Sequence, residues 1–494
     1  MLGHAVAYDV TWTTGHNLFI SIIPGMLSRP LFTLLVSLSI SATSLAIDTQ
    51  SFTLRHVHRT HADTGRIRWT DVSQDTISTS QLSEETPDGS STHTHSLHTR
   101  RTDVHRPVSQ AAFQAARVHS RKRKKEKSVL GRFALDREWG QSMGWKEDTV
   151  EGPAIDKRET VLALAKMTNN AYLSPGEAGW YDLGGNWTAD HNIGWEPDAD
   201  GFRGHVFLSA DNATAVLSIK GTSAGWLGGG GPTVRKDKLN DNLLFSCCCG
   251  HVDWTWSNVC GCFGGGNKCD EDCIEDALTD ESLFYPVGIN LYNNLTYLYP
   301  DAKIWVIGHS LGGALASLIG TTFGAPTVTF EAPGERMAAQ RLHLPMPPST
   351  QHVTHIYHTA DPIAMGTCNG VTSSCYLGGY AMESKCHLGQ SIIYDSVTEL
   401  HWSVDIRTHG IVVIIEQLLS ADWSEKTGKT GNKKGRWGRK PQGLLEHPTQ
   451  ARLIEGIDAS FEDRVEVPAP KPDKDCVECY AWEFGDYMND TIRK

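Results

Sequence analysis

The stretch Lys303 to Gly320 reads KIWVIGHSLGGALASLIG. It opens with a short apolar, β-rich run, Ile304 to Ile307, and continues through small and apolar residues to Ile319. Between these two parts, Gly308 to Gly312 has the pattern G-x-S-x-G. The stretch therefore predicts a strand, a sharp turn and a buried helix.

A serine at the centre of such a turn is typical of the nucleophile elbow of an α/β-hydrolase. The turn would force Ser310 into a strained backbone conformation and raise its hydroxyl above the sheet. Glycine is expected at 308 and 312 because a Cβ atom at either position would collide with the neighbouring strand and helix. The pattern thus predicts an α/β fold of the α/β-hydrolase class with a reactive serine.

Composition excludes some classes of partner. The chain has 494 residues, enough for more than one domain, and a net charge of −12, which does not suggest a nucleic-acid partner. The basic run 121–125 is local, and a solvated linker is the preferred interpretation. No obligate protein partner, cofactor or metal ion is predicted.

Cysteines and glycosylation sequons both favour an oxidising, secretory compartment. The chain has twelve cysteines, an even number, and most of them are clustered. The N-x-[ST] sequons place candidate glycosylation sites at Asn186, Asn212, Asn294 and Asn489.

The N-terminal region contains one candidate membrane segment. Residues 1–30 are expected to be a cytosolic segment, and translation could start at Met26. Leu31 to Ile47 carries no charge and is barely long enough to span a bilayer. A cleaved signal peptide and an uncleaved signal anchor both fit it. Residues 48–138, rich in His, Thr, Ser and Arg, are expected to form a lumenal stem that is partly disordered.

Residues 139–420 are expected to form the catalytic domain. Thr160 to Met167 predicts a helix, and His205 to Ser209 and Thr214 to Ile219 predict two strands. The second strand runs into Lys220-Gly221-Thr222. A small, hydroxyl-bearing residue at the end of a strand before the elbow is where a hydrolase can place an oxyanion donor.

Residues 225–273 are expected to be a lid or cap insertion, because they follow the oxyanion strand directly and are rich in Gly, Trp and Cys. Zinc binding is conceivable for these cysteines, but the secretory context favours disulfides. At least one of the seven must pair outside the segment or stay free. Their positions are 247, 248, 249, 260, 262, 269 and 273.

The remaining triad candidates follow the elbow. His352 to Tyr357 predicts a strand, and Asp361 comes just after it, where a triad acid belongs in these sheets. His409 precedes a strand-like run, Ile411 to Ile415. Residues 421–475 are expected to be a polar linker or insert, and 476–494 a C-terminal segment rich in Cys and aromatic residues.

The order serine, acid, histidine is that of the α/β-hydrolases. It predicts Ser310 as the nucleophile, His409 as the base that takes its proton and Asp361 as the carboxylate that orients the histidine. His387 and His401 are competing bases, and Glu331 is a competing acid. The backbone N–H groups of Leu311 and Thr222 are the predicted oxyanion donors.

Longer motifs carry a resemblance to a known family. GHSLGG at 308–313 with IKGT at 219–222 resembles the class 3, fungal-type lipases. Further motifs resemble the fungal autophagy lipases: FGAP at 323–326, TFEAPGER at 329–336, YHTADPIAMGTCNGVTSSCYLGG at 357–379, SVDIRTHG at 403–410 and the ending from Cys476 to Asp486. The resemblance spans about 150–420 plus that ending, whereas residues 421–467 do not resemble the family's connector.

This resemblance implies a serine lipase whose triad falls on Ser310, Asp361 and His409, with Thr222 in the oxyanion position. It implies membrane phospholipids and neutral lipids as substrates. It also implies a single-pass type II membrane protein that travels through endoplasmic reticulum, Golgi and multivesicular bodies to the vacuole. There the family breaks down the membranes of autophagic bodies and vesicles. A secreted esterase acting on soluble or cell-wall esters and a non-catalytic membrane-binding protein remain the alternatives.

Overall fold

The computed structural model describes residues 49–50, 52–61, 66–71, 97–139, 143–175, 177–183, 199–223, 233–251, 257–279, 283–429, 465–473 and 475–487. Its strands are β1 Thr49–Gln50, β2 Phe52–His61, β3 Ile67–Asp71, β4 Leu97–Pro107, β5 Trp145–Pro153, β6 Ala199–Ser209, β7 Thr214–Ile219, β8 Phe263–Gly265, β9 Lys268–Asp270, β10 Lys303–His309, β11 Thr327–Phe330, β12 Val353–His358, β13 Gln390–Tyr394, β14 Lys471–Pro472 and β15 Glu483–Gly485.

The α-helices are α1 Gln110–Lys125, α2 Val129–Trp139, α3 Arg158–Asn170, α4 Val234–Phe245, α5 Glu271–Ala277, α6 Phe284–Leu298, α7 Leu311–Phe323, α8 Arg336–Arg341, α9 Ser374–Gly378, α10 Ser396–Glu399, α11 Ile411–Val413 and α12 Trp423–Lys426. A 3₁₀ turn covers Ile406–His409, and a π-helical turn covers Ile414–Leu418.

The central sheet has nine strands in the order β14-β13-β12-β11-β10-β7-β6-β2-β3. The five strands from β13 to β7 run parallel, and the strands outside them are antiparallel to their neighbours. Because the carboxyl ends of parallel strands meet at one edge, this edge collects the residues that follow β7, β10 and β12. The predicted α/β-hydrolase fold is confirmed.

Both faces of the sheet are buried. Along β10, Ile304 and Val306 belong to one apolar core and Trp305 and Ile307 to the other, as the alternation of side chains in a strand requires. The helix α7 packs on the first face and α3 on the second. The elbow is therefore held between two packed layers.

The stem expected at residues 48–138 contributes instead to the folded domain. β2 pairs with β6 in the central sheet, and β4 pairs with β5 in a second, three-stranded sheet. The composition of β2 hides this role because buried positions carry His58 and Thr60. Burial lowers the pKa of His58 to about 3, so its ring is neutral and can lie in the core.

The basic run 121–125 lies in the last turn of α1 and is not a linker. Lys124 pairs with Glu271 at 2.7 Å and also with Glu275, and Lys125 pairs with Asp276 at 2.7 Å. These cations also suit the C-terminal end of a helix, where the backbone dipole is negative.

The candidate lid, 225–273, is cross-linked where the structure describes it. Three disulfides lie within it: Cys248–Cys269, Cys249–Cys260 and Cys262–Cys273. Cys247 pairs outside it with Cys479, which confirms that the seven cysteines need an external partner. Within the segment α4 has a buried C-terminal half, whereas Trp226, Trp254 and Trp256 lie outside the described residues. A lid function stays a prediction.

The C-terminal segment is tied to the catalytic domain. Cys476 pairs with Cys386 and Cys479 with Cys247, so both cysteines of this segment form long-range bridges. Cys368 and Cys375 form a separate, local bridge. Part of the expected linker also packs on the domain: Glu466 accepts hydrogen bonds from the Nζ of Lys157 at 2.9 Å and the backbone N–H of Arg158 at 3.0 Å.

The predicted localisation, a type II membrane protein delivered to the vacuole lumen, is contradicted. Over the part of the chain that the structure describes, no helix combines the length and the apolar character that a membrane span requires. The segment on which the prediction depends, Leu31 to Ile47, lies outside the described residues. We do not carry this localisation forward.

Candidate active site

The predicted elbow is present between β10 and α7. Ser310 has φ 56° and ψ −129°, a conformation in the sparsely populated region that L-residues rarely adopt. Its backbone N–H donates to the carbonyl of Phe330 at 3.0 Å, which ties the turn to the neighbouring strand β11. The strain is thus supported by strand pairing on one side and by the buried helix α7 on the other.

Glycine is required on both sides of the serine, as predicted. A Cβ atom at Gly308 would lie 2.2 Å from the carbonyl oxygen of Gly312, and one at Gly312 would lie 2.3 Å from that of Ile219. Gly221 is under the same constraint, because its Cβ would lie 2.3 Å from the carbonyl oxygen of His309. The elbow and the loop after β7 therefore touch backbone to backbone.

The structure brings Ser310, His409 and Asp361 into one hydrogen-bonded chain. His409 Nε2 lies 2.9 Å from Ser310 Oγ, and His409 Nδ1 lies 2.7 Å from Asp361 Oδ2. His409 and Asp361 are fully buried, while Ser310 is 5% exposed. A serine with a histidine at hydrogen-bond distance, itself bonded to a carboxylate, can act as an activated nucleophile.

Asp361 is held in its charged form. Burial by itself would raise the pKa of this carboxyl, but the charge and the hydrogen bond of His409 outweigh burial and keep the pKa well below its usual range. The backbone N–H of Ile363 donates to the other carboxylate oxygen at 2.8 Å. An ionised aspartate can stabilise the imidazolium that forms when His409 takes a proton.

His409 does not lie beside a strand, as the sequence suggested. It ends the 3₁₀ turn Ile406–His409, and the apolar run after it is helical, in α11 and the π turn. A short run of β-branched residues fits a buried helix as well as a strand, so periodicity alone could not separate the two.

His309, the residue before the nucleophile, supports the backbone of His409. Its Nε2–H donates to the carbonyl of His409 at 2.8 Å, so its Nδ1 accepts from the hydroxyl of Tyr172 at 2.7 Å. Burial, together with the nearby His409, lowers the pKa of His309 to about 3. Tyr172 follows α3 far upstream, and no sequence signal marked it.

A second carboxyl, Glu331, lies against Asp361. It is fully buried directly after β11 with φ 44°, and it is close enough to the Asp361 carboxylate for that charge to act on it. Burial and the charge of Asp361 raise its pKa well above the usual range, so it is a neutral acid. A neutral carboxyl can donate a hydrogen bond to Asp361, whereas it does not contact His409 in the place of a triad acid.

The loop after β7 holds Thr222 beside the elbow. The Thr222 hydroxyl donates to Asp241 Oδ2 on α4 at 2.6 Å, and burial raises the pKa of Asp241 to about 8. The backbone N–H of Ser223 donates to Asp237 at 2.9 Å. Leu311 is the first residue of α7, where backbone N–H groups have no acceptor within the helix. These contacts fix the loop that carries Thr222, and Leu311 is held at the start of α7.

The competing residues occupy other positions. His387 is buried and donates through Nε2 to the carbonyl of Ala332 at 2.9 Å. His401 is exposed, with φ 57°. Among the three candidate bases, only His409 is bonded to Ser310.

Two of the four glycosylation sequons fall on described residues. Asn212 lies in the turn between β6 and β7 with φ 58°, and Asn294 lies on α6, and both are exposed. Asn186 and Asn489 lie outside the described residues. Glycosylation at these positions stays a prediction.

Comparisons with known proteins identify the family of the chain. Residues 286–367 match the family model described as Lipase (class 3), a stretch that includes Ser310 and Asp361 but ends before His409. The chain is 50% identical over 373 residues to "Putative lipase ATG15" of Cryptococcus neoformans var. neoformans serotype D, covering 69% of this chain and 70% of the relative. The protein of the same name from Mycosarcoma maydis is 46% identical over 364 residues, with coverages of 70% and 69%.

A solved structure, Lip2 lipase from Yarrowia lipolytica, is similar at 17% identity and a TM-score of 0.25. The similarity covers 47% of this chain and 77% of that one. This similarity is too weak to support a conclusion about the site, whose description is based on the distances within this structure.

Proposed function

The chain belongs to the ATG15 lipase family and is an ester hydrolase of the lipase class; on this premise, we propose that it is a serine lipase acting on the acyl esters of glycerolipids, phospholipids as well as triacylglycerols. The observation that carries the proposal is the continuous hydrogen-bonded chain from Ser310 through His409 to Asp361. That chain is the arrangement a hydrolase needs to make a serine hydroxyl nucleophilic at neutral pH.

Acylation begins when Ser310 Oγ attacks the ester carbonyl carbon. The Ser310 proton passes to His409 Nε2, and the ionised Asp361 stabilises the imidazolium through the bond to Nδ1. The carbonyl oxygen becomes an oxyanion. The tetrahedral intermediate then expels the alcohol part of the lipid, which takes the proton from His409, and an acyl-serine remains.

Deacylation repeats the same steps with water. His409 removes a proton from a water molecule, which attacks the acyl-serine and releases a fatty acid and free Ser310. We assign the oxyanion in both half-reactions to the backbone N–H groups of Leu311 and Thr222. Losing one such donor typically costs about 2.7–4 kcal/mol of transition-state stabilisation.

Within that chemistry, we propose that the physiological substrates are membranes, those of autophagic bodies and of multivesicular-body vesicles. The resemblance of 323–336, 357–379 and 403–410 to the fungal autophagy lipases supports this proposal, as do the ATG15 relatives.

The proposal is tested with purified full-length chain on phospholipid vesicles and on a triacylglycerol emulsion. Ser310→Ala should lose essentially all release of fatty acid on both substrates, since no other described hydroxyl is bonded to His409. His401→Asn is the matched control, because His401 is exposed and asparagine tolerates its positive φ. It should keep wild-type rates.

Two outcomes would contradict the proposal. Lipid hydrolysis by Ser310→Ala would exclude this serine as the nucleophile. Wild-type activity on dissolved short-chain esters, with no gain at a lipid surface, would favour the alternative of an esterase for soluble or cell-wall esters.

A further inference from the structure

Three buried side chains with ligand atoms for a metal converge outside the triad. They are Glu335, which precedes α8, His355 on β12 and His387 in the loop before β13. One ligand atom from each lies within 4.8 Å of the others, and the three side chains are at most 1% exposed. The imidazole rings of His355 and His387 are 4.7 Å apart between centroids.

One ring nitrogen of His387 is available as a ligand. Its Nε2 donates a hydrogen bond to the carbonyl of Ala332 at 2.9 Å, so Nε2 carries the proton in the neutral ring. Its Nδ1 is buried and has no hydrogen-bond partner among the described residues. A histidine that donates one ring N–H to a backbone carbonyl and leaves the other nitrogen bare has the arrangement of a metal ligand.

Glu335 is oriented in a similar way. Its Oε1 accepts from the hydroxyl of Ser317 at 2.6 Å and from the backbone N–H of Leu388 at 3.0 Å. Its Oε2 is buried and has no hydrogen-bond partner in the described chain. An unpartnered buried carboxylate oxygen is costly, and a cation bound among the three side chains would remove that cost.

His355 completes the set. Its Nδ1 lies 2.8 Å from Thr329 Oγ1, which leaves Nε2 directed at Glu335, 3.2 Å from Oε1. A proton on Nε2 would satisfy that pair without a metal. It would still leave Nδ1 of His387 and Oε2 of Glu335 unsatisfied, whereas one divalent cation satisfies all three side chains.

We propose that His355, His387 and Glu335 bind a zinc ion. Two imidazoles and one carboxylate suit zinc better than magnesium or calcium, which prefer oxygen ligands. Zinc binds nitrogen and carboxylate oxygen at about 2.0–2.2 Å, so the ligand atoms must approach one another by about 1 Å on binding. A water molecule can take the fourth tetrahedral position.

Such an ion would join three separate pieces of the domain. Glu335 follows β11, His355 lies within β12, and His387 adjoins Cys386, whose disulfide to Cys476 holds the C-terminal segment. Three protein ligands and a water are also the ligand set of catalytic zinc sites, but this cluster is closed to solvent, so a substrate cannot reach the ion and its role is structural.

The test measures the metal itself. Untagged full-length chain, prepared without chelators, is analysed by inductively coupled plasma mass spectrometry. Wild type should carry about one zinc per chain, and His355→Gln and His387→Gln should each carry less than about a tenth of that.

His352→Gln is the matched control. His352 is also buried, donates through Nε2 to the carbonyl of Gly320 at 3.2 Å and leaves Nδ1 unpartnered, but it lies outside the cluster. This variant should keep its zinc.

A second measurement does not depend on whether the variants fold. Wild type dialysed against chelator and then freed of it is titrated with zinc chloride, followed by calorimetry and by the thermal unfolding midpoint. Saturable binding of about one equivalent with a raised midpoint supports the site. No saturable binding, or full zinc retention by a folded His355→Gln/His387→Gln double variant, would overturn it.

Discussion

The two buried carboxyls beside His409 allow the triad acid to be identified by a pair of isosteric substitutions. Asp361→Asn and Glu331→Gln each replace a carboxyl by an amide of nearly the same shape. We expect opposite outcomes, because Asp361 is ionised and accepts from His409, whereas Glu331 is neutral and makes no hydrogen bond to His409 among the described residues.

We expect the Asp361→Asn substitution to cause a large loss of kcat. The amide has no charge to stabilise the imidazolium, and its NH₂ group can donate to His409 Nδ1 and force the tautomer that cannot take the serine proton. The equivalent change in serine proteases costs about 10⁴-fold in kcat. At 1.36 kcal/mol per factor of ten, the expected loss is about 5.4 kcal/mol.

We expect the Glu331→Gln substitution to change kcat only slightly. The wild-type side chain is already uncharged, so the substitution exchanges a neutral O–H donor for a neutral N–H donor toward Asp361. No charge is lost next to the imidazolium. We expect less than a tenfold change in kcat, which is less than about 1.4 kcal/mol.

The assay uses initial rates on a soluble short-chain ester at pH 7, so that lipid-surface effects do not enter. Far-ultraviolet circular dichroism and urea unfolding establish that both variants are folded. If Glu331→Gln loses as much activity as Asp361→Asn, Glu331 is charged or acts directly, and the neutral-acid assignment fails. If Asp361→Asn stays within tenfold of wild type, Asp361 is not the triad acid.

Three further predictions follow from contacts around the site. Tyr172→Phe removes the donor to His309 Nδ1 and leaves that atom buried and unsatisfied, which should lower the unfolding free energy by about 1–3 kcal/mol in urea and reduce kcat; an unchanged kcat and stability would contradict the contact. Gly221→Ala places a Cβ 2.2 Å from the Tyr172 hydroxyl and should reduce the kcat of the soluble protein about 10²-fold, so wild-type rates would argue against this packing. Stability measured by urea unfolding from pH 4 to 9 should rise from acidic pH and peak near neutral pH. His58 and His309 have folded pKa values of about 3, below their unfolded value, so their contribution is lost as pH falls; Asp241, with a folded pKa of about 8, loses its contribution as pH rises. Asp241→Asn should remove much of the fall above the peak, and an unaltered profile would refute this reasoning.

Local patterns in the sequence were sufficient to predict the elbow and the order of the triad residues. The conformation of Ser310 follows from glycines two residues away on either side, and Asp361 follows a strand that six consecutive residues define. His409 was selected among three histidines with no geometry to separate them, and the structure separates them by contact with Ser310.

Local sequence patterns could not predict the long-range contacts that support the site. Tyr172, in the turn after α3, and Asp241, on α4, support the site, and neither lies in a motif. The strand β2 was missed for a different reason: a buried strand normally shows apolar residues, but His58 and Thr60 occupy core positions there. A histidine with a strongly lowered pKa stays uncharged and can therefore occupy a core position, which composition does not reveal.

The same principle explains how the catalytic turn is held. His309 donates to the carbonyl of His409 at 2.8 Å, and His358 donates to the carbonyl of Thr408 at 3.0 Å, so two buried histidines clamp consecutive peptide groups of the 3₁₀ turn. Burial lowers the pKa of both rings, and each neutral ring therefore has one N–H donor and one unprotonated nitrogen. Because the unprotonated nitrogen of His309 accepts from Tyr172, its N–H must face His409, and the tautomer of His309 is fixed. The base is thus positioned through its backbone by neutral rings, while its own ring stays free to exchange a proton with Ser310.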